Sequence, residues 1–193
     1  MKKKKHESLS GIMHTHTHTH FRQSLHFRNA LAVLSANLLL VASAKIRVPL
    51  GVVDFTLQSF LVPMLVCVMG RKLALITVGS YLLEGALGFS VFQGTPERGI
   101  GIMYMAGPTA GYLFGFFIAQ LIPTLKSPSN NGSVYFRLGL GHLVIHGLGI
   151  FWLSVLFGFE RALAIDGQFW LGMLTKIILG GSILKFFSSP QDC

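Results

Sequence analysis

Residues 169–187, FWLGMLTKIILGGSILKFF, form a nineteen-residue apolar run with one cation, Lys176, in its middle and another, Lys185, near its end. At 1.5 Å per residue a helix of this length covers about 28 Å, the hydrocarbon thickness of a bilayer. A lysine at mid-helix costs about 2.5–3.5 kcal/mol even on lenient insertion scales. Lys185 lies near an interface, whereas Lys176 is about two turns from either end, a long reach for a snorkelling side chain. The chain therefore has to offer Lys176 an anionic ligand, a carboxylate partner or a water-filled cavity.

The rest of the chain is built for the same solvent. Hydrophobic residues make up 51% and charged residues 12%, and the mean hydropathy is +0.59, values that no ordinary soluble domain reaches. The net charge of +9 does not indicate nucleic-acid binding. Lys2, Lys3, Lys4 and Lys5 hold four of the sixteen basic residues, and most others flank apolar runs, as in membrane proteins. Cys67 and Cys193 form no disulfide or metal pattern, and the basic, His/Thr-rich start predicts no cleavable signal peptide.

Residues 1–27 read as a polar cytoplasmic tail, disordered or lying on the membrane surface, with an HTHTHTH tract at 14–20 to which no metal is assigned. Six apolar segments follow: 29–44 (extended by 46–50), 55–69, 73–92, 102–125, 135–159 and 169–187. Short connections marked by Gly and Pro predict an all-α membrane protein, a compact six-helix transmembrane bundle over residues 28–187, with a short tail at 188–193. Part of 46–54 is expected to be non-helical and buried against the bundle. An inside N-terminus puts Lys2 to Lys5, Arg22, Arg28, Arg71, Lys72, Lys126, Arg137 and Lys185 in inner loops. Lys45, Arg47, Arg98 and Arg161 then fall outside, interleaved with Asp54, Glu97, Glu160 and Asp166. That asymmetry predicts both termini in the cytoplasm.

Polar residues within the spans form the functional shortlist. Helical periodicity puts Thr77, Tyr81, Glu84 and Gly88 on one face. Glu84 is the one deep carboxylate and Lys176 the one deep cation. Three readings stand: a direct pair, a common cavity in which both contact a polar ligand, or a protonated Glu84. Gly107, Gly111, Gly115 and Ala119 recur every four residues, which favours close helix approach. Gly107-Pro108-Thr109 also suits the first turn of a helix, with Pro108 at its first position. His142 and His146, four apart, lack a third zinc ligand and fit interhelical hydrogen bonding. The glycines at 139 and 141 follow no strand, so no dinucleotide loop is assigned. Ala32 and Ala36 make a small-residue face on the first helix, and Thr56 and Gln58 open the second from the outer side.

These residues occur in a recognisable order: Val48-Pro49-Leu50, Phe55-Thr56-Leu57-Gln58, YLLEGALGFSVF at 81–92 and GPTAGYLFGF at 107–116. Over residues 29–187 the chain resembles the BioY biotin transporters, the substrate-binding S components of energy-coupling factor transporters. The resemblance implies six helices in the cytoplasmic membrane that capture biotin from the outer side, with a T component and two ATPases as partners. It implies that Ala32 and Ala36 dock on the T component. It also implies a Gly-Asp-x-x-Lys pattern in the last helix, whose Asp and Lys help hold biotin. Here that pattern reads Gly172-Met173-Leu174-Thr175-Lys176, so the lysine is kept and the aspartate is Met173. The loop at 94–101 is less glycine-rich than in the family. Glu84, where the family is usually apolar, is a candidate replacement for the missing acceptor.

Biotin combines an apolar bicycle, a ureido group with two donors and one strong acceptor, and a carboxylate tail. A site for it needs an apolar wall, polar partners for the head and often a cation for the tail. The expected substrate-binding set is Thr56, Gln58, Tyr81, Glu84, Phe92, Thr109, Tyr112 and Lys176, with Trp170 as a further wall. Biotin is the transported substrate, and no catalytic residue, metal or cofactor is assigned. The alternatives are an S component for another small vitamin, motivated by Met173, and an intramembrane enzyme using Glu84, His142 and His146. The enzyme reading lacks a nucleophile or metal set at a recognisable spacing.

Overall fold

The structure, a computed structural model, describes residues 26–122 and 132–187. It is mostly helical. Helix α1 (His26–Lys45) leads into a two-strand antiparallel hairpin, β1 (Arg47–Val48) and β2 (Phe55–Thr56), in which Arg47 faces Thr56 and Val48 faces Phe55. Helix α2 (Gln58–Ala86) follows, then the short α3 (Gly101–Met105), α4 (Ala110–Ala119), α5 (Gly132–Phe157), α6 (Phe159–Gly167) and α7 (Trp170–Phe187). Among the described residues, α1, α2, α5 and α7 are long and apolar enough to cross a membrane. Their outward faces carry large exposed apolar side chains such as Leu34, Leu83, Leu143, Phe151 and Ile178. Lipid is the solvent those faces fit, and the chain is a multi-pass membrane protein.

Helix α2 holds the two apolar segments expected at 55–69 and 73–92. They meet at Gly70, whose φ of 77° and ψ of 160° are non-helical. That φ suits glycine, and the change of direction leaves Arg71 and Lys72 exposed at the bend. The second arm stops at Ala86 rather than continuing to Phe92. The chain turns back so that the Phe92 ring meets Tyr81 edge-on at 5.3 Å and stacks on Tyr104 at 5.1 Å. Burial of these rings outweighs one more helical turn.

The segment expected as one helix from 102 is also broken. Residues 106–109 separate α3 from α4, Pro108 precedes the first helical residue Ala110 by two positions, and the Trp152 indole donates to the Gly107 carbonyl at 2.9 Å. Within α4 the small-residue stripe packs on α5. A Cβ added at Gly111 would meet the Leu148 carbonyl and Trp152, and one at Gly115 would meet the Ile145 backbone at 2.8 Å. Close backbone approach is what those positions provide.

The sequence readings at the ends of α5 and α6 need correction. Arg137, counted with the inner loops, is buried in α5 and donates to the carbonyls of Pro63 and Ile122. These carbonyls give a cation a polar niche inside the bundle. Residues 160–168, read as outer loop, fall largely within α6 (Phe159–Gly167), whose Ala162, Ile165 and Asp166, with Phe169 beyond its end, are buried at helical spacing. The hairpin region 46–54 is non-helical as expected. It is buried only at Val53 and Asp54, while Ile46, Val48 and Leu50 remain exposed. The core joins Leu40 of α1, Val62, Val78 and Tyr81 of α2, Leu113 and Phe116 of α4, and Ile145 of α5.

Candidate functional site

Where the hairpin, the start of α2, α3, α4, α5 and α7 converge, they enclose a cavity with about 570 Å³ of empty space, its open mouth included. Small-molecule sites have that scale. Phe55, Leu113, Phe116, Ile145 and Phe169 supply an apolar wall, and a limited set of polar side chains interrupts it.

Lys176 enters from α7 and is buried. Its Nζ donates to the Thr56 carbonyl at 2.6 Å and to Ser59 Oγ at 2.7 Å, and lies 3.6 Å from the centre of the Phe55 ring. All three contacts are neutral, and no carboxylate among the described residues forms a salt bridge with it. Dipoles and a π face reduce the cost of the buried ammonium without cancelling its charge. An anion or a strong acceptor in the cavity would complete the compensation.

Two further polar atoms on the wall lack partners. Gln58 Nε2 and the Tyr104 hydroxyl are buried without a hydrogen bond among the described residues. An unmet donor in such a place costs about 1–3 kcal/mol, so each is a ready contact for an acceptor on a ligand. Tyr104 was absent from the sequence shortlist. A tyrosine in an apolar run reads as core, and the sequence carries no signal that its hydroxyl has nowhere to go.

A second cluster adjoins the first. Asp166 of α6 is fully buried. Its Oδ1 accepts from the Tyr112 hydroxyl at 2.8 Å and from His146 Nδ1 at 2.7 Å, and its Oδ2 from Trp170 Nε1 at 3.2 Å. Tyr112 and His146 both line the cavity. Three donors satisfy the carboxylate, which in turn fixes both cavity-facing residues. The His142 and His146 rings stack with centres 6.1 Å apart. The interhelical bond expected of the pair is made by His146, to α6. Asp166 was counted as an outer-loop acid because it falls between the apolar segments at 135–159 and 169–187, and nothing in the sequence sets it apart from Glu160 and Arg161.

A third cluster borders the cavity at Asp54. Asp54 is buried, with Oδ2 accepting from Arg47 at 2.6 Å and Oδ1 from Arg98 at 3.0 Å. The hydrogen bond to Asp54 raises the pKa of Arg47 above its ordinary value, so that side chain is always charged. Arg98 also donates to the Gly51 and Val52 carbonyls, and Lys45 donates to the carbonyls of Phe92 and Thr95 and to Thr95 Oγ1. Hairpin, α1 and the loop after α2 are thereby tied together beside Gln93 and Asp54 of the cavity wall.

Of the shortlisted residues, Thr56, Gln58, Thr109, Tyr112 and Lys176 lie on this wall. Tyr81 and Phe92 do not. Tyr81 is fully buried with its hydroxyl donating to the Val91 carbonyl, and Phe92 stands one layer back, behind Tyr104. Glu84 is turned to α1, where its Oε1 accepts from Asn37 Nδ2 at 2.9 Å. The pairing of Glu84 with Lys176 is not made. Glu84 lies about 60° around the helix from Tyr81, enough to face a different neighbour. Met173 lines the cavity, and Trp170 is more than half exposed with its indole N–H held by Asp166. On α1, Ala32 is exposed and Ala36 half-buried, on the flank of the stripe that buries Asn37, Leu40 and Ala44. The HTHTHTH tract lies outside the described residues.

Comparison with known proteins places this arrangement. A biotin transporter BioY of Thermotoga maritima is 40% identical over 118 residues, which are 60% of this chain and 68% of the relative. A probable biotin transporter BioY of Pyrococcus horikoshii is 38% identical over 136 residues, 70% of this chain and 76% of that protein. The crystal structure of the S-component for biotin from an ECF-type ABC transporter superposes with a TM-score of 0.72. It covers 84% of this chain and 92% of its own at 20% identity, a likeness of fold. The model of the BioY family matches residues 14–189, which include every helix and every wall of the cavity, and the chain belongs to that family.

Proposed function

We propose that the chain captures biotin from the outer side of the cytoplasmic membrane and carries it inward as the S component of an energy-coupling factor transporter. In this reading the two arms of α2 count as separate spans and α3 with α4 as one, which with α1, α5 and α7 makes six, and both termini lie in the cytoplasm. A T component docks at Ala32 and Ala36 of α1, and ATPase subunits supply the energy. The names of the relatives support biotin as the substrate.

The observation that carries the reading is the chemistry of the cavity. Its wall is mostly apolar, as the bicycle and alkyl tail require, and its polar groups are short of acceptors. Among the described residues Gln58 Nε2 and the Tyr104 hydroxyl are unpartnered, and Lys176 lacks a counter-charge. A ureido oxygen and a carboxylate are strong acceptors of the kind those groups need. Thr56, Thr109 and Tyr112 complete the polar set, and Tyr81 and Phe92 back the wall from behind. Glu84 acts in the bundle and not on the ligand.

The test is equilibrium binding of radiolabelled biotin to the purified protein, competed with lipoate, thiamine and riboflavin. Tight binding displaced by unlabelled biotin alone supports the proposal. Displacement by another vitamin at lower concentration would replace biotin as the substrate.

A further inference from the structure

The wall of the cavity carries, among the described residues, an acceptor whose direction is fixed by the protein. Each Asp54 oxygen already accepts from one arginine, Arg47 or Arg98, which ties the carboxylate to the hairpin and loop and leaves it about half of its accepting capacity. The Thr56 carbonyl and Ser59 Oγ accept from Lys176. Gln58 and Gln93 are amides that can present either end, so they suit donors and acceptors alike. His146 differs. Its Nδ1 faces Asp166 Oδ1 at 2.7 Å, and that carboxylate already accepts from the Tyr112 hydroxyl and the Trp170 indole. An ionised carboxylate accepts and does not donate, so the imidazole proton belongs on Nδ1. In the neutral imidazole Nε2 is then a lone-pair acceptor, without a hydrogen-bond partner among the described residues, on a side chain that lines the cavity. The ring is also fixed in orientation, edge-on to Tyr112 at 5.9 Å and 6.1 Å from both His142 and Phe169.

Met173 stands on the same wall. Its thioether is a weak acceptor, so α7 contributes a donor at Lys176 and no comparable acceptor one turn away. The acceptor comes from α5, braced from α6.

We infer that His146 Nε2 accepts a hydrogen bond from one ureido N–H of the ligand, and that Asp166 is the positioning residue that holds the imidazole in the accepting tautomer. This inference rests on the cavity being the biotin site. Its chemistry matches the ligand: a cyclic urea presents N–H donors on either side of its carbonyl. The donors Gln58 and Tyr104 address the oxygen, and His146 addresses a nitrogen. Recognition of a donor by a fixed acceptor discriminates strongly against a ligand in which that donor is blocked.

The test uses the full chain in detergent, with biotin and the two biotins methylated at one or the other ureido nitrogen. Wild type is expected to bind biotin and to reject one methylated isomer. His146→Phe, which keeps a ring and removes the acceptor, should weaken biotin about ten- to a hundredfold. It should leave the affinity for that isomer within about threefold, so the discrimination disappears. Met173→Asp added to His146→Phe returns a carboxylate to the same wall and should recover most of the lost biotin affinity. Asp166→Asn should weaken biotin less than His146→Phe does, with discrimination reduced in the same direction. Equal loss for biotin and both isomers in His146→Phe would mean a packing role and overturn the inference. So would discrimination that survives the substitution. Should His146→Phe fail to fold by thermal unfolding, His146→Gln places an amide oxygen near the Nε2 position. It must then keep the discrimination, and its loss would count against the inference. A wild type that binds no biotin would overturn the reading of the cavity itself, a result distinct from each of these.

Discussion

At the scale of single residues, Lys176 and Glu84 show how differently a bilayer protein settles two deep charges. The ammonium of Lys176 rests on a carbonyl, a hydroxyl and a ring face, all within the cavity wall. Replacing it with alanine removes a donor aimed at the ligand while relieving a desolvation cost. Lys176→Ala should therefore weaken biotin more than about tenfold with the thermal midpoint of the empty protein unchanged or higher. Unchanged affinity in an equilibrium binding assay would remove the lysine from the site. Glu84 meets Asn37 across the α1–α2 contact, and a glutamine there can still accept through its oxygen. Glu84→Gln is expected to change stability by about 1 kcal/mol or less and biotin affinity by less than about twofold. A larger drop in affinity would return Glu84 to the ligand. Lys176, Thr56, Gln58, Thr109 and Tyr112 were legible in the sequence because polar groups inside apolar spans stand out. His146 was singled out for an interhelical bond and not for the ligand, and Tyr104 and Asp166 were not singled out for the site. The significance of each depends on which atom is left without a partner, and that is decided by contacts between distant elements.

At the scale of elements, most helices could be read from apolar runs, and their ends could not. Gly70 marks a break that its neighbours Arg71 and Lys72 made visible. The stop at Ala86 and the gap at 106–109 are set by tertiary burial of Phe92 and Tyr104 and by the Trp152 indole on the Gly107 carbonyl. Helix α6 was missed because Glu160 and Arg161 read as loop, while three buried positions, Ala162, Ile165 and Asp166, suffice to seat it. The hairpin and the loop at 93–99 are short elements with little apolar area of their own. Their mutual position rests on Asp54 between two arginines, reinforced by Arg98 and Lys45 on backbone carbonyls. Asp54→Asn leaves both guanidiniums and keeps the size of the side chain, so its first effect is on the clasp. Biotin should dissociate several times faster in a chase with unlabelled ligand, and stability should fall by about 1–3 kcal/mol, the arginines being partly exposed. A dissociation rate equal to that of wild type would show that the clasp does not cover the ligand.

At the scale of the whole molecule, the charges define a direction across the membrane. Near the cavity mouth the basic residues are each engaged by the protein: Lys45 on carbonyls, Arg47 and Arg98 on Asp54. At the far end of the first arm of α2, about 18 Å from Gln58 by helical rise, Arg71 and Lys72 are exposed. Lys185 lies in the last turn of α7, again away from the cavity. Apart from Arg161, which lies over the Phe157 ring, the exposed cations without a carboxylate partner among the described residues lie away from the cavity, and in the orientation proposed above that side faces the cytoplasm. Single cysteines test it in a chain whose Cys67 and Cys193 are replaced by serine. Glu97→Cys, in the exposed loop beside the mouth, should react with a membrane-impermeant maleimide in intact cells. Lys72→Cys, at the bend of α2, should react only after the membrane is permeabilised. The two positions are exposed alike, so a difference between them reports sidedness and not burial. The reverse pattern would turn the molecule over and put the mouth of the cavity in the cytoplasm, where no uptake site could begin its cycle.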